Sequence, residues 1–119
     1  MPFKAILQDW VSRVPGALGA IIVDWEGEAV DQVGRLNTYD LKVIGAHKGL
    51  ILDQLRKAVQ RTAGNELLEI SISTSKYQTL IVPVDADYCL VMTLEHGEMI
   101  GRALFEARRC LEKVRHEIG

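Results

Sequence analysis

Three aspartates near predicted turns are the first candidates for chemistry, because two neighbouring carboxylates can act as general acid and general base. Asp24 follows an apolar run, and Asp85 and Asp87 flank Ala86 between two later apolar runs. Aspartate is also a frequent turn residue, since its side chain accepts hydrogen bonds from the backbone that follows it. We favour turn formation here, with a catalytic carboxylate pair as the alternative.

Other reactive side chains lack the neighbours that their chemistry needs. The 3 histidines, His47, His96 and His116, are scattered in the sequence, with no cluster of cysteines or carboxylates beside them as a metal site requires. The hydroxyl-rich segment 71–75 is not part of a G-x-S-x-G motif, and segment 45–49 lacks the spacing of a phosphate-binding loop. We therefore expect no enzymatic activity, no metal and no cofactor.

Size and composition favour one ordinary globular domain spanning residues 1–119. The net charge of -2 argues against a nucleic-acid-binding protein or one that coats an anionic membrane. No apolar run approaches the roughly 20 residues of a membrane span, and no leader pattern precedes the first helix. Cys89 and Cys110 lie in apolar surroundings that favour reduced core thiols. We expect a cytoplasmic protein.

The elements that would position these residues follow from hydrophobic periodicity and turn residues. Apolar residues at helical spacing predict helices over residues 3–14, 39–63 and 98–117. Alternating or continuous apolar runs predict strands over residues 17–23, 29–33, 68–73, 77–84 and 88–94. The element order is then α-β-β-α-β-β-β-α.

The apolar pattern of the strands also predicts their order in the sheet. Strands one, four and five are apolar on both faces, which places them in the middle of a sheet covered on both sides. Strands two and three are polar on one face and belong at the edges. Short loops favour antiparallel hairpins for the pairs one–two, three–four and four–five. We predict a three-layer α/β/α fold with a five-stranded, mainly antiparallel sheet of order 2-1-5-4-3.

The predicted central helix, residues 39–63, has two apolar faces. One wide stripe suffices to dock it on the sheet, yet a second apolar line lies opposite, where a monomer would meet water: Val43, Ala46 and Leu50. The small residues Gly45 and Gly49 flank this line and allow close approach of another backbone. We interpret the line as a packing seam for a second chain, and expect Val43→Asp or Leu50→Asp to give a folded monomer.

Three further residues are candidates for contacting a partner. Lys57 and Arg61 continue the second line of the central helix toward its carboxyl end. Phe105 lies opposite the apolar stripe of the last helix, among Arg102, Arg109 and Glu112. We favour packing of Phe105 under the first helix; the alternative is an exposed aromatic anchor for an acidic or nucleotide-bearing partner.

This arrangement resembles the roadblock/dynein light chain family. The sequence VPGALGAIIVD at residues 14–24 is similar to the family's opening strand, and Glu26 and Gly27 occupy its usual turn. The resemblance covers nearly the whole chain and implies a domain that forms homodimers or heterodimers through the second helix and third strand. The strand residues at that seam would be Glu69, Ser71 and Ser73. Members of the family, including bacterial Mgl-type proteins, act as scaffolds or as regulators of Ras-like small GTPases.

Three functional hypotheses follow. The leading one is a non-catalytic homodimer that binds a Ras-like small GTPase and modulates its GTP hydrolysis or localisation. The second is a structural adaptor that joins larger assemblies, with a paralogous subunit as a possible partner and no effect on nucleotide turnover. The third is a small-ligand sensor or enzyme that uses the loop 85–87.

Overall fold

A computed structural model of the chain describes residues 2–24, 29–34, 54, 57, 68–85, 87–97 and 100–118. Its two long described helices are the N-terminal helix Pro2–Ser12 and the C-terminal helix Ile100–Ile118. The strands are β1 (Ala17–Asp24), β2 (Ala29–Gly34), β3 (Ile70–Ser73), β4 (Tyr77–Pro83) and β5 (Tyr88–Glu95).

The five strands form one sheet in the order β2-β1-β5-β4-β3. Every neighbouring pair is antiparallel. The predicted order is therefore confirmed, with β2 and β3 at the two edges. The three central strands are those whose sequence is apolar on both faces, because only a strand with neighbours and covering layers on all sides can bury both sets of side chains.

Between β2 and β3, the described residues Gln54 and Lys57 are helical. The element order α-β-β-α-β-β-β-α is thus the predicted one. The other residues of the predicted central helix lie outside the described residues. They include the seam residues and one candidate partner contact: Val43, Gly45, Ala46, Gly49, Leu50 and Arg61.

Apolar side chains are buried on both faces of the sheet, as the three-layer fold requires. On one face, sheet residues such as Ile22, Leu90 and Met92 join residues of the N- and C-terminal helices in the larger cluster. On the other face lies a smaller cluster, whose members are at most 1% exposed: Ile21, Val23, Ile81, Cys89 and Val91. Alternation along β1, with Ile21 and Ile22 on opposite faces, produces this division.

Two element ends lie two residues inside the predicted bounds. The N-terminal helix ends at Ser12 rather than at residue 14, because Gly16 adopts a positive φ of 79° and the chain turns before it. Val14 still lies in the core, at 4% exposed. Strand β3 begins at Ile70 rather than at residue 68, and Leu68 is 66% exposed.

Gly34, at the end of β2, packs directly against β1. It is paired with Gly19 and has a φ of 145°, in the region that side-chain-bearing residues rarely adopt. A Cβ at this position would lie 2.4 Å from the Gly19 Cα and 2.5 Å from the Leu18 carbonyl oxygen. The close approach of the two strands therefore depends on a glycine here.

The N-terminal and C-terminal helices pack against each other on one face of the sheet. Trp10, which is 1% exposed, fills the space between them, and its indole Nε1 donates a hydrogen bond to the Ala103 carbonyl oxygen at 3.3 Å. At the surface, the Lys113 ammonium lies 3.0 Å from the Asp9 carboxylate. Farther along, the Arg115 Nε donates to the Val84 carbonyl oxygen at 3.0 Å, which ties the C-terminal helix to the end of β4.

Candidate functional site

The Asp85 side chain holds the β4–β5 turn together. The Asp85 Oδ1 accepts hydrogen bonds from the backbone N–H groups of Asp87, at 2.8 Å, and of Tyr88, at 2.9 Å. Asp24 is brought to the same end of the sheet, because it is the register partner of Tyr88. The geometry supports the turn interpretation, since the Asp85 carboxylate is engaged with local backbone as turn-forming aspartates are.

The two thiols lie in separate apolar clusters on opposite faces of the sheet, Cys89 in the smaller and Cys110 in the larger. The body of the sheet thus separates them. Burial raises the pKa of the Cys110 thiol to about 12, so it stays protonated at neutral pH and is a poor nucleophile. Within the described part of the chain, no three His, Cys, Asp or Glu side chains converge as metal ligands do.

Strand β3 forms a polar, exposed edge of the sheet. Its neighbour is β4, and its alternating pattern leaves Ser71 and Ser73 exposed while Ile70 and Ile72 pack against the smaller cluster. Glu69, just before the strand, is also exposed. These three residues, which are assigned to the predicted seam, are all accessible to another chain.

The hydrogen-bonding direction of this edge follows from the β3–β4 hairpin. The Thr74 N–H donates to the Tyr77 carbonyl oxygen at 2.8 Å, which makes this opposed pair a hydrogen-bonded one. Hydrogen-bonded and non-hydrogen-bonded pairs alternate along an antiparallel ladder. Ser73 and Ser71 therefore occupy non-hydrogen-bonded positions opposite Gln78 and Leu80, and their backbone N–H and C=O groups point toward the open edge.

Phe105 lies on the outer surface of the C-terminal helix and is 61% exposed. The favoured interpretation, that it packs under the N-terminal helix, is wrong. The N-terminal helix and the residue that follows it instead contact the side of the C-terminal helix that carries Arg102 and Lys113. The Arg102 Nε donates to the Arg13 carbonyl oxygen at 3.4 Å, and Lys113 pairs with Asp9. This placement leaves the phenyl ring at the protein surface.

A buried carboxylate, missed in the sequence, lies next to Phe105. Glu106 is 3% exposed, with Oε1 3.7 Å from an Arg102 nitrogen and Oε2 3.9 Å from an Arg109 nitrogen. The signal that would have found it is the spacing of its partners, one turn before and one turn after, at which oppositely charged side chains meet on a helix. The two guanidinium groups lie at the surface on one side of Phe105.

Of the two candidate partner contacts on the central helix, the structure describes one. Lys57 is helical and exposed, as its predicted role requires, whereas Arg61 lies outside the described residues.

None of the helices in the described part of the chain is long and apolar enough to cross a lipid bilayer.

Replacing Asp9 with asparagine is expected to destabilise the helix pair slightly, and only above acidic pH. Hydrogen bonds from Lys113 and Arg13 hold the pKa of the Asp9 carboxyl below its ordinary 3.8. The ionised group therefore stabilises the folded protein above that value, and the contribution is lost as pH falls through the lowered pKa. Because Asp9 is partly exposed, we expect less than about 1 kcal/mol.

Thermal unfolding of wild type and Asp9→Asn at neutral pH and near pH 2 measures this contribution. We expect a lower midpoint for the variant at neutral pH and equal midpoints in acid. A difference that persists unchanged in acid would show that the carboxylate charge is not its source.

Comparison with known proteins shows which of them this chain is similar to. A scan of protein-family models gives no match, and a search of curated proteins gives none. Solved structures, however, match nearly the whole chain. MglC from Myxococcus xanthus is 30% identical, with 98% of this chain and 99% of MglC covered and a TM-score of 0.70.

Two further structures share the fold at lower identity. A Roadblock/LC7 domain from Streptomyces avermitilis is 16% identical over 96% of this chain and 95% of that domain, with a TM-score of 0.86. MglB in a tetrameric arrangement is 12% identical over 97% of this chain and 86% of MglB, with a TM-score of 0.83. The matches support a regulatory role of the roadblock type. With 30% identity to MglC over almost its full length and the fold of a roadblock domain, the chain belongs to the roadblock/LC7 family.

Proposed function

We propose that this protein is a non-catalytic homodimer that joins its two sheets through β3 and, as a dimer, binds a Ras-like small GTPase. Binding would modulate GTP hydrolysis by the GTPase or its localisation, in the cytoplasm. Membership of the roadblock/LC7 family supports the class of partner, through the resemblance to Mgl-type regulators. A matched structure in which MglB has a tetrameric arrangement gives a precedent for self-association within this fold.

The open edge of β3 carries the homodimer part of the proposal. The backbone N–H and C=O groups of Ser71 and Ser73 point away from β4 toward the open edge. An antiparallel partner strand can form hydrogen bonds with both kinds of group. The strand is only 4 residues long, so the edge alone offers few hydrogen bonds. The proposed seam therefore also includes Val43, Gly45, Ala46, Gly49 and Leu50 of the central helix, with Glu69 beside the strand.

The proposed surface for the GTPase is the basic rim beside this seam, formed by Lys57 and Arg61. Cationic side chains at the border of an interface accelerate association with an acidic partner more than they add to its final affinity. A rim of this kind suits a regulator that must bind and release a GTPase repeatedly. The net charge of -2 for the whole chain is the reason that we do not propose nucleic acid as the partner.

Ser71→Pro is designed to break the homodimer while preserving the subunit. Proline removes an outward N–H and puts a ring on the open edge, but the Ser71 N–H is not used in pairing with β4, so the hairpin should persist. We expect light scattering to fall from twice the 13.3 kDa chain mass for wild type toward that of one chain. Ser71→Thr keeps the N–H and should remain dimeric. A wild-type protein that is monomeric at micromolar concentration would contradict the homodimer.

The GTPase part is tested by single-turnover GTP hydrolysis of a Ras-like GTPase from the same genome, with and without this protein. We expect binding of the GTP-loaded form and a changed hydrolysis rate with wild type and Ser71→Thr, and neither with Ser71→Pro. If no Ras-like GTPase from that genome binds this protein at micromolar concentration, the GTPase part of the proposal is wrong. Binding without any change in rate would instead favour the adaptor hypothesis, in which the dimer joins other proteins.

A further inference from the structure

The outer surface of the C-terminal helix places one aromatic ring among arginines. On a helix, the nearest surface neighbours of a residue are three and four positions away. For Phe105 these neighbours are Gly101, Arg102, Arg108 and Arg109, and all four are exposed. Phe105 itself is 61% exposed. Three of its four neighbours therefore carry a full positive charge at the protein surface.

Charge is distributed unevenly between this helix and the rest of the protein. The C-terminal helix carries five basic and three acidic side chains, a net charge of +2, in a chain whose net charge is -2. One of the three acids, Glu106, is 3% exposed and lies under Arg102 and Arg109. A partner at Phe105 therefore meets exposed guanidinium groups, while the Glu106 carboxylate that offsets part of their charge is itself inaccessible.

The shape around Phe105 also favours docking. A Cβ built on Gly101 would meet no heavy atom within 4 Å, so one turn before the ring the helix backbone is open to an approaching group. Glu106 lies 3.7 Å from one nitrogen of Arg102 and 3.9 Å from one nitrogen of Arg109, so both guanidinium groups lie at the same side of the ring.

We propose that Phe105, Arg102, Arg108 and Arg109 form a docking surface for an acidic segment of a partner protein. A hydrophobic side chain of the segment would pack on the Phe105 ring and its carboxylates would pair with the guanidinium groups, which bind carboxylates in a bidentate geometry. Arginines around an aromatic anchor are typical of residues that dominate the affinity of protein interfaces. We name these four residues the Phe105 surface.

An acidic protein segment fits this surface better than an anionic membrane does. A helix that binds a bilayer inserts a broad apolar face. Here the apolar face of the helix is used in the core, where Ala103, Ala107, Cys110 and Val114 are buried. A single ring would be left to insert. The proposal is independent of the homodimer, because the Phe105 surface lies on the outer side of the C-terminal helix and not on the β3 edge.

Selection from a random peptide phage library on the wild-type protein tests the proposal directly. We expect enrichment of peptides that place aspartates and glutamates around one aromatic or aliphatic residue. Phe105→Ala and Arg108→Glu should each weaken the selected peptides at least about tenfold, and added salt should weaken them further. Circular dichroism should show unchanged folding, because both side chains are exposed.

Matched controls come from elsewhere on the surface. Leu68→Ala removes an apolar side chain that is 66% exposed, and Lys76→Glu reverses an exposed charge at the β3–β4 turn. Both should leave peptide affinity unchanged. Failure to enrich acidic peptides, or equal affinity for wild type and the Phe105→Ala and Arg108→Glu variants, would overturn the proposal. So would binding to phosphatidylserine vesicles with no binding to acidic peptides.

Discussion

A protein carrying Gly34→Ala is expected to lose about 2–6 kcal/mol of its free energy of unfolding, which approaches the whole stability of a small domain. Two costs add at this position. The φ of 145° is strained for any residue with a Cβ. The added methyl group would also lie 2.4 Å from the Gly19 Cα and 2.5 Å from the Leu18 carbonyl oxygen, which are backbone atoms that no rotamer change can move.

Urea unfolding followed by circular dichroism measures the loss, and Gly101→Ala is the matched control. At Gly101 an added Cβ meets nothing within 4 Å, and alanine favours helix by up to about 1 kcal/mol over glycine. The control should therefore be neutral or stabilising. If the two variants unfold at the same urea concentration as wild type, the contact between β1 and β2 is looser than the geometry indicates.

Trp10→Ala is expected to cost about 3–5 kcal/mol, because it leaves a large cavity between the two terminal helices. The indole is 1% exposed and is among the largest fully buried side chains of the described residues. Its Nε1 also joins the helices through the hydrogen bond to Ala103. The loss of this bond contributes about 1 kcal/mol of the total.

Trp10→Phe separates the two contributions. Phenylalanine fills most of the space but cannot donate a hydrogen bond, so it should cost clearly less than alanine does. Denaturant unfolding of the three proteins should rank them as wild type, Trp10→Phe and Trp10→Ala in decreasing stability. Equal losses for both variants would mean that the hydrogen bond, rather than the filled volume, holds the helices together.

The strand order could be predicted because few arrangements satisfy the sequence. Strands apolar on both faces must be central, and short loops force hairpins, which leaves the order that the sheet adopts. Helix surfaces are harder to predict. Periodicity placed Phe105 opposite the apolar stripe of the last helix but did not show which side the N-terminal helix would cover. That choice depends on contacts between distant residues, including Lys113 with Asp9.

The burial of Glu106 was also not predicted from the periodicity of the helix. A charged residue at the margin of an apolar stripe is normally assigned to solvent, since burying an unpaired carboxylate is costly. Here the cost is reduced by Arg102 and Arg109, one turn away on either side. The β3 edge was predictable from its one-sided polarity, but the direction of its backbone groups required the register of the hairpin. The seam and partner contacts of the central helix stay predictions.

Strand β2, at the opposite edge, determines how far association by strand addition can proceed. Along the β1–β2 ladder, Gln32 occupies an outward-facing position, and its N–H already donates to the Asp31 Oδ1 at 3.0 Å. An incoming strand would have to displace this carboxylate. If both edge strands of a subunit could pair with other subunits, association would continue into a sheet of unlimited length. If only one edge is open, association ends when that edge is paired. The Asp31 side chain therefore disfavours the addition of another strand at β2.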